Sequence, residues 1–402
     1  MVSEDAQDKA AFPGDPPPRG LRIAVVIEDL NQRGGQERVV AELCRRWAQR
    51  HEVVIFCFTA EGLDDEPLTI RRLWLPLRRH AFQSLWMLPA SRWALRPRRY
   101  DVVLSQGGNC LVQNFVLAHT CHARRRVEAT QAPGKVGPLR ERWLRLRNRW
   151  AVAMERRAIR RCPGRLIAVF PPLARMLSEE YGVPLEQILV TYNGVDTEVF
   201  HPRNRTAWRS AMRQELGLSE EEVVLIFVGG LWLEKGLTQT IQALGKMQHP
   251  ARLLVLGQGD ERLLGRIAEE AGVRDRVCFL GRREHVERYL AAADVFALPW
   301  PIGGWMLLAV TEAAASGLPL VISSLLNPAD NYFRDGESAF LVGRDPAEMA
   351  ERLDRLAANP TLREQMGAQA REAVLPLGWD QQAQAIEQFF LEKTASRAGR
   401  AS

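Results

Sequence analysis

The feature that most constrains the fold is the repeated alternation of short apolar runs with stretches of helical periodicity. After the first run, Val39, Leu43 and Trp47 recur at the spacing of one helix face. Apolar runs of strand length lie at 21–27, 51–58, 100–104 and 165–169 in the first half, and at 223–228, 252–256, 276–280, 295–298 and 320–323 in the second. Such alternation predicts parallel sheets covered on both faces. Since 402 residues is about twice the usual domain length, we expect an α/β protein with two Rossmann-like, doubly wound domains facing each other across a cleft.

The domain boundaries follow from composition and from the breaks between these two series. Residues 1–19 carry acids and a run of prolines, and they are predicted to be a disordered leader. The N-terminal domain is predicted to cover 20–200 and the C-terminal domain 204–376. A helix over 377–394 is expected to pack back toward the N-terminal domain, followed by a disordered tail at 395–402.

Hydropathy and cysteine usage indicate a cytoplasmic protein. No apolar stretch approaches the ~20 residues of a membrane-spanning helix, and the leader lacks the apolar segment of a signal peptide. The six cysteines are scattered, without a Cys-x-x-Cys pair, and are expected to be free buried thiols: Cys44, Cys57, Cys110, Cys121, Cys162 and Cys278.

Positive charge is concentrated in the first half of the chain. Residues 71–100 contain eight arginines, three tryptophans and no acid, and residues 124–161 contain thirteen Lys or Arg against three Glu. These stretches fit an anionic membrane face or acceptor, or alternatively solvated helix faces over core tryptophans. The scarcity of acids favours the first interpretation. No nucleic-acid partner is expected, because no aromatic platform or helix-turn-helix pattern accompanies the charge.

Two glycine turns in the second half follow predicted strands. Gly229-Gly230 comes directly after one strand, and Lys235 precedes the next helix. Glycine lets the backbone approach a phosphate, a helix N-terminus favours an anion, and lysine supplies a point charge. The pattern therefore suits a diphosphate, although a tight turn with a solvated lysine would look the same. Gly257-x-Gly259 is a weaker signal, since strand-to-helix turns often need glycine.

Glu312 is the most specific candidate in the second half. It lies in an apolar, alanine-rich helical stretch, where an unpaired carboxylate would be costly. A carboxylate at the edge of a nucleotide-binding sheet commonly accepts hydrogen bonds from ribose hydroxyls. A ligand role is favoured over a structural salt bridge.

The order of these motifs resembles that of family-4 glycosyltransferases across nearly the whole chain. The residues that carry the resemblance are Gly34-Gly35-x-Glu37-Arg38, Asn193-Gly194-Val195-Asp196, Phe200-x-Pro202, Lys235-Gly236 and Glu312-Ala313-x-x-Ser316-Gly317-x-Pro319. Within the family, the lipopolysaccharide-core glucosyltransferases are similar in the glycine loop and the C-terminal half. The resemblance implies the GT-B fold, with an acceptor domain at 20–200 and a nucleotide-sugar-binding domain at 204–376.

The resemblance also implies roles for individual residues. Gly34 and Gly35 would approach the donor phosphate and the reacting sugar, Lys235 would neutralise the leaving diphosphate, and Glu312 would hold the ribose. His122, in Thr120-x-His122, would contact the donor sugar near the anomeric carbon, although it could equally be an ordinary loop histidine. The backbone around Leu280 would face the base, and Gly303 and Gly304 would present backbone amides to the sugar.

The implied reaction is a transfer that retains anomeric configuration and needs no metal or other cofactor. The nucleophile would attack from the face that the nucleotide leaves, with charge on the diphosphate stabilised electrostatically. The chain contains no Asp-x-Asp triplet, the usual metal-binding pattern of other glycosyltransferases. The expected donor is a UDP-linked sugar, and the expected acceptor is a cell-envelope glycan or lipid-linked glycan at the inner face of the cytoplasmic membrane.

The chain departs from the family pattern at two positions. Gly230 stands where the family usually has arginine, and Gly304 where it has a glutamate eight residues before Glu312. These departures motivate an alternative, a catalytically silent nucleotide-sugar-binding or scaffold protein. A nucleotide-sugar epimerase on the same fold is a third and less favoured hypothesis.

Overall fold

The computed structural model describes residues 20–31, 35–62, 68–76, 80–124, 138–300, 308–324 and 332–398. The first half forms a seven-stranded parallel sheet in the order β5-β3-β1-β6-β7-β8-β9. Its strands are β1 (Arg22–Val26), β3 (Glu52–Cys57), β5 (Thr69–Arg72), β6 (Val102–Gln106), β7 (Phe115–Ala118), β8 (Leu166–Ala168) and β9 (Ile188–Val190). The short strands β2 (Asp29–Asn31) and β4 (Thr59–Glu61) pair separately.

The second half forms a six-stranded parallel sheet in the order β12-β11-β10-β13-β14-β15. Its strands are β10 (Val223–Val228), β11 (Ala251–Leu256), β12 (Val277–Gly281), β13 (Val295–Leu298), β14 (Leu320–Ser323) and β15 (Ala339–Val342). The central strands read as continuous apolar runs because both of their faces are buried: all four side chains of β13 are fully buried. The prediction of two parallel-sheet α/β domains is confirmed.

Helices connect the strands in both halves. The first half contains α1 (Gly35–Trp47), α2 (His80–Ala94), α3 (Pro138–Arg161) and α4 (Pro171–Tyr181). The second contains α5 (Asn204–Glu215), α6 (Leu237–Lys246), α7 (Glu261–Glu270), α8 (Val286–Ala292), α9 (Leu308–Ala315), α10 (Pro346–Ala358) and α11 (Pro360–Val374), and α12 (Trp379–Ala398) ends the described chain. None of the helices within the described ranges combines the length and apolar character needed to cross a bilayer.

Each sheet reverses its strand order at one point, and the functional motifs follow the strands at these points. In the first sheet the reversal lies between β1 and β6, and in the second between β10 and β13. Open parallel sheets bind ligands in the crevice at the carboxyl ends of the strands that flank the reversal. The turn that carries Gly229 follows β10, and the helix that carries Glu312 follows β13.

Helix α12 returns to the first domain. The indole N–H of Trp47 donates to the carbonyl of Ala383 at 3.0 Å, and the rings of Phe115 and Phe390 lie 4.9 Å apart. These contacts bury the apolar face of the last helix against α1 and the first sheet.

Several sequence predictions need correction or fall outside the described residues. Strands β5, β7, β9 and β15 were not predicted. The disordered tail predicted at 395–402 is wrong for 395–398, because α12 continues to Ala398 through good helix formers. The leader at 1–19 lies outside the described residues. Five cysteines are buried, whereas Cys278 is half-buried.

Candidate donor and transfer site

The turn after β10 holds a lysine at the carboxyl edge of the second sheet. A Cβ built on Gly229 would lie 2.7 Å from Nζ of Lys235, so the ammonium group sits directly over this glycine. Burial lowers the pKa of Lys235, because the charged form is less well solvated there. The turn also packs closely against the residue that follows β13. Gly236 has φ of 84°, and a Cβ there would lie 2.3 Å from the carbonyl oxygen of Pro299. A cation is thus held at the reversal of the sheet.

The second glycine turn packs tightly against the first. A Cβ on Gly257 would lie 1.9 Å from the carbonyl oxygen of Gly229, and one on Gly259 would lie 2.6 Å from the ring of Trp232. Packing alone therefore requires glycine at both positions, which supports the structural interpretation of this motif. Gly230 differs, since the nearest heavy atom to its built Cβ is 3.8 Å away. Packing does not exclude a longer side chain at that position.

An aromatic pair that sequence reasoning missed lies beside these turns. Trp232 is buried, and its ring lies 5.5 Å from that of Phe279 on β12. The guanidinium of Arg274 lies 5.6 Å from the centroid of the Phe279 ring. Leu280 follows Phe279, at the strand end where the base was predicted to bind. The sequence feature that could have indicated this pair is Trp232, three residues after Gly229.

Glu312 pairs with an arginine from the other half of the molecule. Its Oε1 accepts a hydrogen bond from Nη1 of Arg38 at 2.6 Å, although only 5% of Glu312 is exposed. Burial raises the pKa of Glu312, while the positive charge of Arg38 opposes this rise. Arg38 lies in the motif after the first glycines but was not itself assigned a role. The Glu312 carboxylate is therefore paired in this structure, and its salt bridge with Arg38 connects the two domains.

The linker between the domains lies against the same contact. The guanidinium of Arg38 sits 5.8 Å from the ring centroid of Phe200. A Cβ on Gly317 would lie 2.9 Å from Pro202, and φ of Gly317 is 76°. Motif residues from three separate stretches of the chain thus meet at one place, as a shared functional site requires.

His122 lies in the segment 119–124 (the His122 loop), which follows β7 at the carboxyl edge of the first sheet and whose residues 122–124 are helical. Its backbone N–H donates to Oε2 of Glu155 on α3 at 2.9 Å. In the same loop Nε2 of His119 lies 2.8 Å from Oε1 of Gln106, and burial lowers the pKa of His119 to about 4. The contacts with Glu155 and Gln106 thus hold the loop that carries His122 in place.

The remaining predicted glycines are only partly described. Gly34, Gly303 and Gly304 lie outside the described residues. Gly35 begins α1, and a Cβ built on it would meet no atom within 4 Å. Among the described side chains, no group of three His, Cys, Asp or Glu is arranged as a metal site.

The basic stretch of the first half exposes its tryptophans. The side chains of Trp74 and Trp93 are 71% and 72% exposed. Trp86 lies between them, with ring centroids 5.7 Å from Trp74 and 5.6 Å from Trp93. The alternative that these are core tryptophans is therefore wrong for Trp74 and Trp93.

Comparisons with known proteins agree with this arrangement. A model described as Glycosyltransferase Family 4 matches residues 33–199, and one described as Glycosyl transferases group 1 matches residues 209–373. A D-inositol 3-phosphate glycosyltransferase of Xylanimonas cellulosilytica is 32% identical over 97% of this chain and 100% of its own length. A protein of the same name from Geodermatophilus obscurus is 31% identical over 90% of this chain and 87% of its own.

Solved structures show the same fold. WaaG, a glycosyltransferase involved in lipopolysaccharide biosynthesis, superimposes with a TM-score of 0.76 at 19% identity, over 92% of this chain and 99% of its own. Anabaena HepE, in complex with UDP and glucose, gives a TM-score of 0.72 at 17% identity, over 94% of this chain and 100% of its own. By its full-length relatives, its matched domains and its fold, the chain belongs to glycosyltransferase family 4 and is a glycosyltransferase with the GT-B fold.

Proposed function

We propose that the protein transfers a sugar from a nucleotide-sugar donor, of the UDP-linked class, with retention of configuration and without a metal. The observation that carries the proposal is the placement of the Lys235 ammonium over Gly229, at the reversal of the second sheet. Glu312 follows the neighbouring strand β13, and the carboxyl ends of adjacent parallel strands meet at one edge. A diphosphate beside Lys235 would therefore leave its ribose within the region of Glu312. The solved HepE complexes contain UDP, which supports the choice of donor class.

The chemical step needs stabilisation of the leaving diphosphate. As the bond between the anomeric carbon and the phosphate oxygen breaks, negative charge grows on the diphosphate. Lys235 and backbone amides of the glycine turns neutralise that charge, and a fixed cation in a partly desolvated site does so more strongly than in water. The acceptor hydroxyl attacks from the same face and passes its proton to a departing phosphate oxygen. His122 contacts the donor sugar near the reacting carbon.

Donor binding must change the contact between Arg38 and Glu312. The carboxylate oxygen that would accept a ribose hydroxyl now accepts the hydrogen bond of Arg38. Since a carboxylate has several acceptor positions, the ribose can either replace Arg38 or share the carboxylate with it. Either way, the donor makes its contact at the junction of the two domains.

The acceptor is proposed to be a cell-envelope glycan or a lipid-linked glycan. WaaG acts in lipopolysaccharide biosynthesis, and the N-terminal domain is rich in arginine. A second candidate is a phosphorylated polyol, favoured because the Xylanimonas relative aligned over 97% of this chain is named for D-inositol 3-phosphate. A phosphorylated polyol is anionic, as is a glycan joined to lipid through phosphate, and either would match the positive charge of the first half.

The exposed tryptophans extend the proposal to a membrane surface. Trp74, Trp86 and Trp93 form a row of rings beside exposed arginines such as Arg71 and Arg92. Indoles at the bilayer interface and arginines at anionic headgroups would hold the domain at the inner face of the cytoplasmic membrane. Sedimentation with phosphatidylglycerol vesicles, and not with phosphatidylcholine vesicles, is expected for the wild type and is expected to fall for Trp74→Ala/Trp93→Ala.

Release of nucleotide from UDP-, GDP- and ADP-sugars, with EDTA present, tests the proposal. Each donor is incubated with a lipid-linked glycan or with inositol 3-phosphate, and product is identified by mass. Release that depends on an acceptor supports the transferase. Binding without release from any donor or acceptor would instead support the silent scaffold that Gly230 and Gly304 suggested, and an epimerised sugar without transfer would support the epimerase.

A further inference from the structure

A buried carboxylate behind the His122 loop has no role in the chemistry described above. Glu155 lies on α3, away from Lys235 and Glu312 in the sequence, and only 3% of the residue is exposed. Its Oε2 accepts two hydrogen bonds, one from the backbone N–H of His122 at 2.9 Å and one from the hydroxyl of Tyr181 on α4. A buried carboxylate is costly unless donors satisfy it, and these donors do so.

Helix α3 is itself fixed against the neighbouring loop. A Cβ on Gly108, two residues after β6, would lie 2.6 Å from the carbonyl carbon of Met154 and 2.7 Å from the backbone nitrogen of Glu155. The loops after β6 and β7 are also joined through Gln106 and His119, at 2.8 Å. Glu155 thus anchors the His122 loop to a helix that close packing holds in place.

We propose that Glu155 is a positioning residue, which holds the loop 119–124 so that the His122 side chain faces the donor sugar. This inference rests on the transfer function proposed above, because it acts through His122. Glu155 does not contact the reacting atoms. Its contribution is to restrict the backbone of the loop, and misplacement of a reacting group by about 1 Å can lower turnover about 100-fold.

The anchor is sensitive to protonation near neutral pH. Burial raises the pKa of Glu155 to about 7, while the hydrogen bonds from Tyr181 and His122 oppose the rise. The Cys121 thiol also interacts electrostatically with Glu155, while the charge of Arg156 acts on Tyr181 and that of Glu180 acts on Cys121. Above pH 7 the carboxylate makes charge-assisted hydrogen bonds, which are the stronger kind. Below pH 7 the protonated carboxyl holds the loop less tightly, so turnover is expected to rise with pH through this range.

The test combines kinetics with a readout that does not need activity. The chain contains seven histidines, so selective ¹⁵N-histidine labelling gives a simple amide spectrum in which His122→Gln identifies one signal. In the wild type this signal is expected to titrate with a midpoint near the pKa of about 7 of Glu155. In Glu155→Gln the titration should vanish and the signal should stay near its low-pH position, because the neutral amide oxygen accepts from the His122 N–H as the protonated carboxyl does.

The kinetic variants separate positioning from stability. Glu155→Ala should lower kcat about 100-fold with little change in KM for the donor, and Glu155→Gln should keep the kcat of the protonated wild type at every pH and so lose the rise with pH. Ile159→Ala is the matched control: Ile159 is buried one turn further along α3, and its truncation should lower Tm without moving the His122 signal or the pH profile.

Each outcome decides one of the two claims. A His122 signal that ignores both pH and Glu155→Ala would overturn the anchor, as would equal kinetics in Glu155→Ala and Ile159→Ala. A wild type that titrates as expected but releases no nucleotide from any donor would overturn the proposed function, and with it the catalytic consequence, while confirming the anchor.

Discussion

The glycine turns of the two halves occupy equivalent places in their sheets but differ in what requires the glycine. In the second half, a Cβ on Gly257 or Gly236 would lie 1.9 Å or 2.3 Å from a carbonyl oxygen, so the fold itself excludes any other residue. In the first half, a Cβ built on Gly35 would meet no atom of the described residues within 4 Å outside its own helix turn and chain neighbours. Packing explains the first set of glycines, whereas no packing contact among the described residues accounts for Gly35.

This difference shows how a motif residue should be interpreted. A glycine that packing requires says little about the ligand, because the turn would need it in any protein with this backbone. In the donor half the functional information therefore lies in Lys235 and Glu312. In the first half it lies in Gly35 and in the loop that carries His122. Four variants test this difference between the two halves.

The largest expected effect is that of Lys235→Ala. Removal of a fixed charge that stabilises the leaving diphosphate should lower nucleotide release by up to about 10³-fold in the assay with UDP-, GDP- and ADP-sugars. Lys246→Ala is the control, since Lys246 is exposed at the end of the following helix and should leave the rate unchanged. Equal rates for both variants would remove Lys235 from the mechanism.

Gly257→Ala should act on stability. The added methyl group meets Gly229 and must also adopt φ of 120°, so the free energy of unfolding is expected to fall by about 3 kcal/mol. The measurement is urea unfolding. Gly272→Ala separates the two causes, because Gly272 has φ of 70° but nothing within 4 Å of a built Cβ, and it should cost about 1 kcal/mol. A loss no larger than that of Gly272→Ala would contradict the packing argument.

Gly35→Ala should show the opposite behaviour. Alanine has the higher helix propensity and meets no neighbour in this structure, so Tm is expected to stay the same or rise slightly. Turnover is nevertheless expected to fall about 100-fold, since the methyl group would displace the reacting sugar of the donor. If turnover is normal, the glycine loop does not approach the donor.

The smallest expected effect concerns the ion pair between the domains. Arg38→Ala leaves Glu312 buried without this partner and should lower Tm by about 3 °C at pH 8. Burial already raises the pKa of Glu312, and loss of Arg38 removes the charge that opposes the rise. The destabilisation is therefore present at high pH and is lost as pH falls and the carboxyl becomes protonated, so the Tm values of the variant and the wild type should converge as the pH is lowered.

The double variant Arg38→Ala/Glu312→Gln checks this explanation. It contains no buried charge at the contact, so its Tm at pH 8 should recover most of the loss. A double variant as unstable as Arg38→Ala, or a loss independent of pH, would mean that the packing of Arg38 on Phe200 matters more than the charge pair.

The sequence predicted the second sheet more fully than the first, and the reason is burial. The strands from β10 to β14 were predicted to within one residue at each end, because strands buried on both faces are continuous apolar runs. Strand β5 (Thr69–Arg72) was missed because three of its four side chains are exposed at the edge of the sheet. Strand β7 (Phe115–Ala118) was also missed, although it is fully buried and has the same length as β13 and β14.

The site residues that could be predicted are those whose own sequence neighbours indicate a function. Lys235 and Glu312 were found from their own surroundings. The partner of Glu312 was not, because Arg38 lies 274 positions away in the chain, and no periodicity of either helix indicates such a contact. Glu155 was missed for the same reason: an acid in a strongly basic helix resembles a surface residue until the loop of His122 is placed against it.

Calorimetric titration of UDP in the presence of EDTA, into the wild type, Lys235→Ala and Gly35→Ala, tests most directly that the donor nucleotide binds the second half. Loss of a charge-assisted contact should weaken UDP binding about 10-fold or more in Lys235→Ala, while Gly35→Ala should bind UDP as the wild type does. Unchanged affinity in Lys235→Ala, or weakened affinity in Gly35→Ala alone, would contradict this assignment.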